Sequence, residues 1–338
     1  MDFDLNEDQR EIKAVARELL GARSTWARVR EAATRGEYDE SLWREIVELG
    51  WPGIAVSEEN GGQGLGIVEL SVLLEELGYA CAAVPFLSTA VAAAIIDRFG
   101  DGAARERWLP GLVGGELRAG IGRSSLIVDG AGASVVLLVD GGRLIEVDPG
   151  CETLGTIDPT RRFGRIPPGE PFAGSWDADT SEAAAALFLI AVAAELVGVS
   201  QRALDMTLDY VSERRQFGVP VGSFQAVSHR CAEMLFHTES ARSTAYYAAW
   251  AADAAREAGD GSDGVGEAAA LAAAAGATAG REVAASAIQA HGGIGFTWEA
   301  DVHWLYKRAE VDRALLGGTA MHHAVLARAA AARLTAGA

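Results

Sequence analysis

A chain of 338 residues with 49% hydrophobic and 22% charged side chains is globular, and it is too long for one ordinary helical core, so two or three packed units are expected. Its formal net charge of −18 repels phosphate backbones and anionic lipid at long range, which weighs against nucleic acid or a membrane surface as main partner. Alanine dominates, Lys13 and Lys307 are the only lysines, and alanine costs least in a helix, so the chain should be mostly helical.

Residues 1–118 read as a helical unit. Met1 to Arg10 is acidic and polar, without a signal-peptide pattern. Leu5, Ile12, Val15 and Leu19 recur at helical spacing. Asp39-Glu40-Ser41 has the form of an N-cap, and Gly50 ends the helix that follows. Glu58 to Gly66 is a glycine-rich loop, Val68 to Leu77 is helical again, and Trp108-Leu109-Pro110 closes a short helix.

Residues 119–179 change character. Ser134 to Val139 is strand-like, Asp140-Gly141-Gly142 is a turn, and Arg143 to Val147 answers as a hairpin partner. Ile157 to Ile166 and the Pro- and Gly-rich stretch after it read as further short strands and loops. A reduced β domain is expected here.

Residues 180–338 return to helix. Glu182 to Arg214, Gln225 to Glu257 and Ala268 to Ala290 are long helices; Val311 to Leu334 holds the last, interrupted at Gly317-Gly318. Val227, Cys231, Met234, Leu235 and Thr238 should line one face of the second. Gly259 to Gly266 carries no hydrophobic cluster and reads as a loop. Ala183 to Ser200 is the best transmembrane candidate, but Glu195 within it and Gln201-Arg202 after it favour a buried helix. The three cysteines are scattered without CxxC spacing, so no metal site or disulfide framework is implied, and a reducing cytoplasm fits.

Six short segments in order carry a resemblance. Gly61-Gly62-Gln63-Gly64-Leu65 precedes Leu74-Glu75-Glu76-Leu77-Gly78. Gln201-Arg202-Ala203-Leu204-Asp205 precedes Glu213-Arg214-Arg215-Gln216-Phe217-Gly218 and Phe224-Gln225-Ala226-Val227. Ile288-Gln289-Ala290-His291-Gly292-Gly293-Ile294-Gly295-Phe296 comes last. Together they resemble the acyl-CoA dehydrogenase family. That resemblance implies a mainly α fold: an N-terminal helical domain, a small central β domain and a C-terminal four-helix bundle.

It also implies FAD as cofactor. Arg214 can bind pyrophosphate oxygens bidentately, and Gly292-Gly293 lets backbone N–H groups approach a nucleotide. By resemblance, these groups and Gln289 hold the ADP half of an FAD whose flavin lies in the neighbouring subunit. Gln216, Phe217, Val221, Phe224 and Thr319 fall at further cofactor-lining positions. His322, His323 and Cys231 are read as solvated or packed residues without a catalytic role.

The family's reaction, α,β-dehydrogenation of an acyl-CoA thioester, needs a carboxylate base within hydrogen-bond reach. The two positions where the family places it are Gly317 and Phe188 here, so no catalytic residue is assigned. The family's Thr-Glu-Pro-x-x-Gly-Ser-Asp-like flavin motif is replaced by Ala119-Gly120-Ile121-Gly122-Arg123-Ser124-Ser125. An intact ADP side beside a blank base is similar to the non-catalytic subunits of actinobacterial heteromeric dehydrogenases acting on steroid-CoA side chains. Leu77 to Phe86 and Phe296-Thr297-Trp298-Glu299 also look like that branch. The resemblance implies a homologous catalytic partner in an α2β2 assembly, an acyl-CoA substrate and electron-transfer flavoprotein as acceptor. The alternatives are a homomeric enzyme with a relocated base, for which Glu195 and Glu239 are candidates, and a flavin-free scaffold relative.

Overall fold

The computed structural model describes residues 4–123, 126–139, 143–146, 151–166, 172–175, 178–258 and 264–336. Six helices come first: α1 (Glu7–Arg23), α2 (Trp26–Arg35), α3 (Glu40–Glu48), α4 (Ile67–Tyr79), α5 (Phe86–Phe99) and α6 (Gly102–Val113). Asn6 and Gln9 form a reciprocal capping box at α1, and Asp39 caps α3 by accepting from the Ser41 and Leu42 amides. Pro110 does not end its helix. It lies inside α6, which runs on to Val113. Val15 faces solvent, and the stripe that packs inward on α1 is Ile12, Ala16, Leu19 and Leu20.

Six short strands follow: β1 (Ala119–Gly122), β2 (Val135–Leu138), β3 (Arg143–Glu146), β4 (Glu152–Leu154), β5 (Phe163–Arg165) and β6 (Phe172–Ser175). The sheet order is β1-β2-β3-β6, with β4 and β5 paired separately. β2 and β3 pair antiparallel from Val135↔Glu146 to Leu138↔Arg143, the hairpin read from the sequence. Its turn at 140–142, the Pro/Gly-rich stretch at 167–171, Ser124, Ser125 and the loop tip 259–263 lie outside the described residues.

The C-terminal half contains α7 (Ala178–Glu213), a two-stranded hairpin of β7 (Arg215–Gln216) and β8 (Val219–Pro220), α8 (Gln225–Ala258), α9 (Val265–His291), α10 (Val302–Leu316) and α11 (Thr319–Ala336). The last helical stretch therefore begins at Val302, nine residues before the start read from the sequence. α4, α8, α9 and α10 pack around α7, which is almost wholly apolar from Ala183 to Ser200. Its most apolar window is 89% buried inside the fold, the signature of a core helix.

Small residues let these helices meet closely. A Cβ built on Gly198 of α7 would lie 1.8 Å from the Glu75 carbonyl oxygen of α4, so only glycine fits that crossing. On α8 the buried row is Cys231, Met234, Thr238, Ala241, Ala245, Ala248 and Ala252. Leu235 does not belong to it. One residue on from Met234 turns it outward, where it is 50% exposed beside Phe236, 68% exposed.

A buried ionic cluster joins all three parts. Arg308 of α10 donates to Asp158 (2.7 Å), Glu195 (2.9 Å), Thr160 (2.7 Å) and the Ala82 carbonyl (3.3 Å). Arg161 donates to the other Glu195 oxygen and lies 3.6 Å from Asp129, which accepts from Tyr38 and Ser88. Asp312 sits among them with neither oxygen hydrogen-bonded among the described residues. Burial, and then the nearby Glu195 charge, push its carboxyl well above the usual range.

Candidate functional site

The end of α7 makes one half of the site. Arg214 leaves the helix with its amide donating to Tyr210 O (2.9 Å), and its carbonyl accepts from Val221 N–H (2.8 Å). Between these anchors, β7 and β8 pair as Arg215↔Pro220 and Gln216↔Val219. Phe217 and Gly218 form the two-residue loop, with φ of +53° and +83°. Positive φ at both loop residues matches the right-handed twist of a tight hairpin, but it is a strained setting for phenylalanine. The Phe217 ring is 93% exposed and meets Phe224 edge-on at 6.2 Å. Arg214 and Gln216 are also exposed, and Val221 is half-buried.

The end of α9 makes the other half. His291, the last residue of α9, stacks on Tyr210 with ring centroids 4.5 Å apart, and Tyr210 is the residue whose carbonyl anchors Arg214. The stack brings the Gly292-Gly293 turn to the same corner as the Arg214 hairpin. Gly292 has φ +65°, and a Cβ built on either glycine would meet nothing within 4 Å, so the backbone is open from outside. Gln289 is exposed one turn earlier. Burial lowers the His291 pKa, favouring the neutral ring that stacks.

Eight of the nine expected cofactor residues therefore share one corner. Thr319 does not. It begins α11, and α10, 15 residues and about 22 Å long, separates it from the Gly292 turn. The corner offers a forked guanidinium, an exposed phenyl face and uncovered backbone donors. Phosphates and a planar ring are what such a set can hold. None of these groups is enclosed by this chain alone.

Around Thr319 the geometry is different. Gly317 caps α10 at φ +81°, and a Cβ there would lie 3.1 Å from the Met321 methyl and 3.8 Å from Arg123 Nη1. A basic side chain from the end of β1 thus stands beside the position expected for an acid. His322 is buried with Nε2 2.8 Å from Leu316 O. Phe188, the other blank position, is wholly inside the core.

Both candidates for a relocated base are held in ion pairs. Each Glu195 oxygen is taken by a buried guanidinium, from Arg161 or Arg308. Glu239 is half-exposed on α8 and pairs with Arg242 one turn on (3.2 Å). Asp312 has the raised pKa of a catalytic acid, but it is fully buried inside the ionic cluster, so the shift is structural. The left-handed Phe217 and the Tyr210–His291 stack had no signature in the sequence beyond the adjacent glycines. Arg123 was in view only as part of a missing motif.

Similarity to known proteins follows the same outline. The family descriptions "Acyl-CoA dehydrogenase, N-terminal domain" and "Acyl-CoA dehydrogenase, C-terminal domain" match residues 6–116 and 188–331. The chain is 32% identical to acyl-CoA dehydrogenase IpdE2 of Mycobacterium tuberculosis, over 92% of this chain and 93% of that one. Among solved structures, it superposes on the Tcur3481-Tcur3483 steroid ACAD G363A variant with TM-score 0.86 at 29% identity, covering 97% of this chain and 99% of that one. The ChsE4-ChsE5 complex from Mycobacterium tuberculosis gives TM-score 0.83 at 26% identity, covering 98% and 99%.

Proposed function

The chain belongs to the acyl-CoA dehydrogenase family, whose cofactor is FAD, and on that premise we propose that it is the ADP-gripping, base-free subunit of a heteromeric acyl-CoA dehydrogenase. The observation that carries this reading is an asymmetry. One corner presents Arg214, Phe217 and the Gly292-Gly293 backbone outward, while the base position is Gly317 with Arg123 beside it.

In this reading Arg214 takes the pyrophosphate in a bidentate pair, and Gln289 and the Gly292-Gly293 amides hold the rest of the ADP half. Phe217 and Phe224 shield the ring system from water, with Gln216 and Val221 beside them. The strained backbone and 93% exposed ring of Phe217, which meets Phe224 edge-on, support a contact outside this chain. Bound flavin supplies hydride acceptance. The proton step requires a carboxylate, and it falls to a homologous partner that also encloses the flavin. Thr319, on the Gly317 side, lies outside the grip.

The exposed Leu235 and Phe236 on α8 support a large apolar subunit contact, consistent with an α2β2 assembly. Steroid side-chain CoA thioesters are the proposed substrate class, since the Tcur3481-Tcur3483 relative is described as a steroid ACAD. Electron-transfer flavoprotein as acceptor, a cytoplasmic location and the three-part division at 118/119 and 179/180 belong to the same proposal.

The test is flavin absorbance per polypeptide, for this chain purified alone and after co-expression with a homologue bearing the base. Little flavin alone and about one FAD per unlike pair is the expected result. A full complement in the chain alone would overturn the half-site reading.

A further inference from the structure

Where the 292–296 turn leads into α10, a pocket of about 460 Å³ opens, walled by Ile288, Phe296, Trp298, His303, Tyr306 and Lys307. Its surface is mostly apolar and aromatic. Trp298 and His303 meet edge-on at 4.8 Å, and His303 lies 4.4 Å from Trp304 behind it. Phe296 and Trp298 form the rim, 74% and 73% exposed.

The polar groups of this wall lack counterparts. The Lys307 ammonium rests on the Trp298 and Trp304 rings, 4.1 and 4.4 Å from their centroids, and makes no ion pair among the described residues. Both His303 ring nitrogens are buried without a hydrogen-bond partner among the described residues. A buried polar group left unpaired is destabilising, and folded interiors keep few of them. Burial, opposed by distant Asp158, lowers the Lys307 pKa, and burial followed by the Lys307 charge lowers that of His303.

The missing group can be described by its chemistry. Lys307 offers only donors, so its missing counterpart is an acceptor, and a charged one suits the ammonium. The walls ask for an apolar body. Among the pocket's lining residues Lys307 is the only fully cationic group, so a single negative charge seated on it is compensated locally.

We propose that this pocket binds a small apolar monocarboxylate, with its hydrocarbon body against Ile288, Phe296 and Tyr306 and its carboxylate on Lys307. A mostly apolar cavity with a few convergent polar groups is the usual form of a small-ligand site.

Titration calorimetry of the full chain with octanoate, and with octanamide as the uncharged match, tests this. Octanoate should bind at one site, at least tenfold more tightly than octanamide. Lys307→Met, which keeps the stem and removes the charge, should bring octanoate down to the octanamide level. Trp298→Leu, a change on the exposed rim, should weaken both ligands together, and it keeps the test open if Lys307→Met does not fold. Absence of saturable octanoate binding to the unmodified chain, or equal binding by Lys307→Met with an unchanged melting temperature, would overturn the assignment. Displacement of octanoate by the catalytic subunit would also overturn it, because the pocket would then be a subunit contact.

Discussion

Putting a carboxylate back at the blank base position should not create an enzyme. In Gly317→Glu the backbone is held at φ +81°, where an L side chain costs about 1–2 kcal/mol. Its Cβ would press on the Met321 methyl at 3.1 Å, a contact that a flexible side chain relieves, so the variant should fold with a modestly lower melting temperature. Arg123 Nη1 stands 3.8 Å from that Cβ, within reach of the new carboxylate. Two opposite charges near 4 Å interact by about 4 kcal/mol at an effective dielectric of 20, and solvent at this corner reduces that to on the order of 1–2 kcal/mol. The pair would hold the new carboxyl below its ordinary range and make it a weaker base. The assay is dye-linked oxidation of a steroid side-chain CoA thioester by the flavin-supplemented chain alone, with Gly317→Ala as a control for strain. Both variants should stay at background. Turnover by Gly317→Glu without a partner would refute the reasoning, because a competent flavin pocket would then lie within this chain.

Other consequences concern the buried cluster and the core. Arg308→Met leaves Asp158 and Glu195 partly unpaired in the interior and should cost about 3–5 kcal/mol in urea unfolding, whereas Asp312→Asn should be neutral or stabilising. Asp312 also sets a pH signature. Its folded pKa is raised, so the native state holds the extra proton, and its contribution to stability falls as pH climbs from about 3.9 toward the folded value. The stability advantage of Asp312→Asn over the unmodified chain should therefore widen across that window; a pH-independent difference would contradict it. Cys81, buried and pushed up to about 12, should resist iodoacetamide at pH 8 in the folded chain and react once urea unfolds it, read by mass spectrometry. Gly198→Ala should destabilise by about 1–3 kcal/mol, because the backbone of α4 occupies the space its methyl would need.

Much of this protein can be read along the chain. The long helices announce themselves through alanine content and 3.6-residue spacing, the β2–β3 hairpin through strand-like apolar runs around Asp-Gly-Gly, and the family through motifs whose order survives in one dimension. That positions 188 and 317 cannot act as bases is also a sequence fact, since phenylalanine and glycine carry no ionisable group. Tertiary packing overrides a local rule in two places: Pro110 lies inside α6, and Leu235 matches an apolar pattern but turns to the surface. What only folding decided is which distant groups meet. The stack of His291 on Tyr210 joins residues 81 positions apart and builds the corner from two helix ends. Arg161 and Arg308 close on Glu195 from opposite sides, which removes it as a base though its composition would allow the role. Arg123 reaches Gly317 across nearly two hundred residues. Local spacing fixes which side of an element a residue occupies, while the partner across the gap depends on how rigid elements pack, and that is settled by the burial of the whole core.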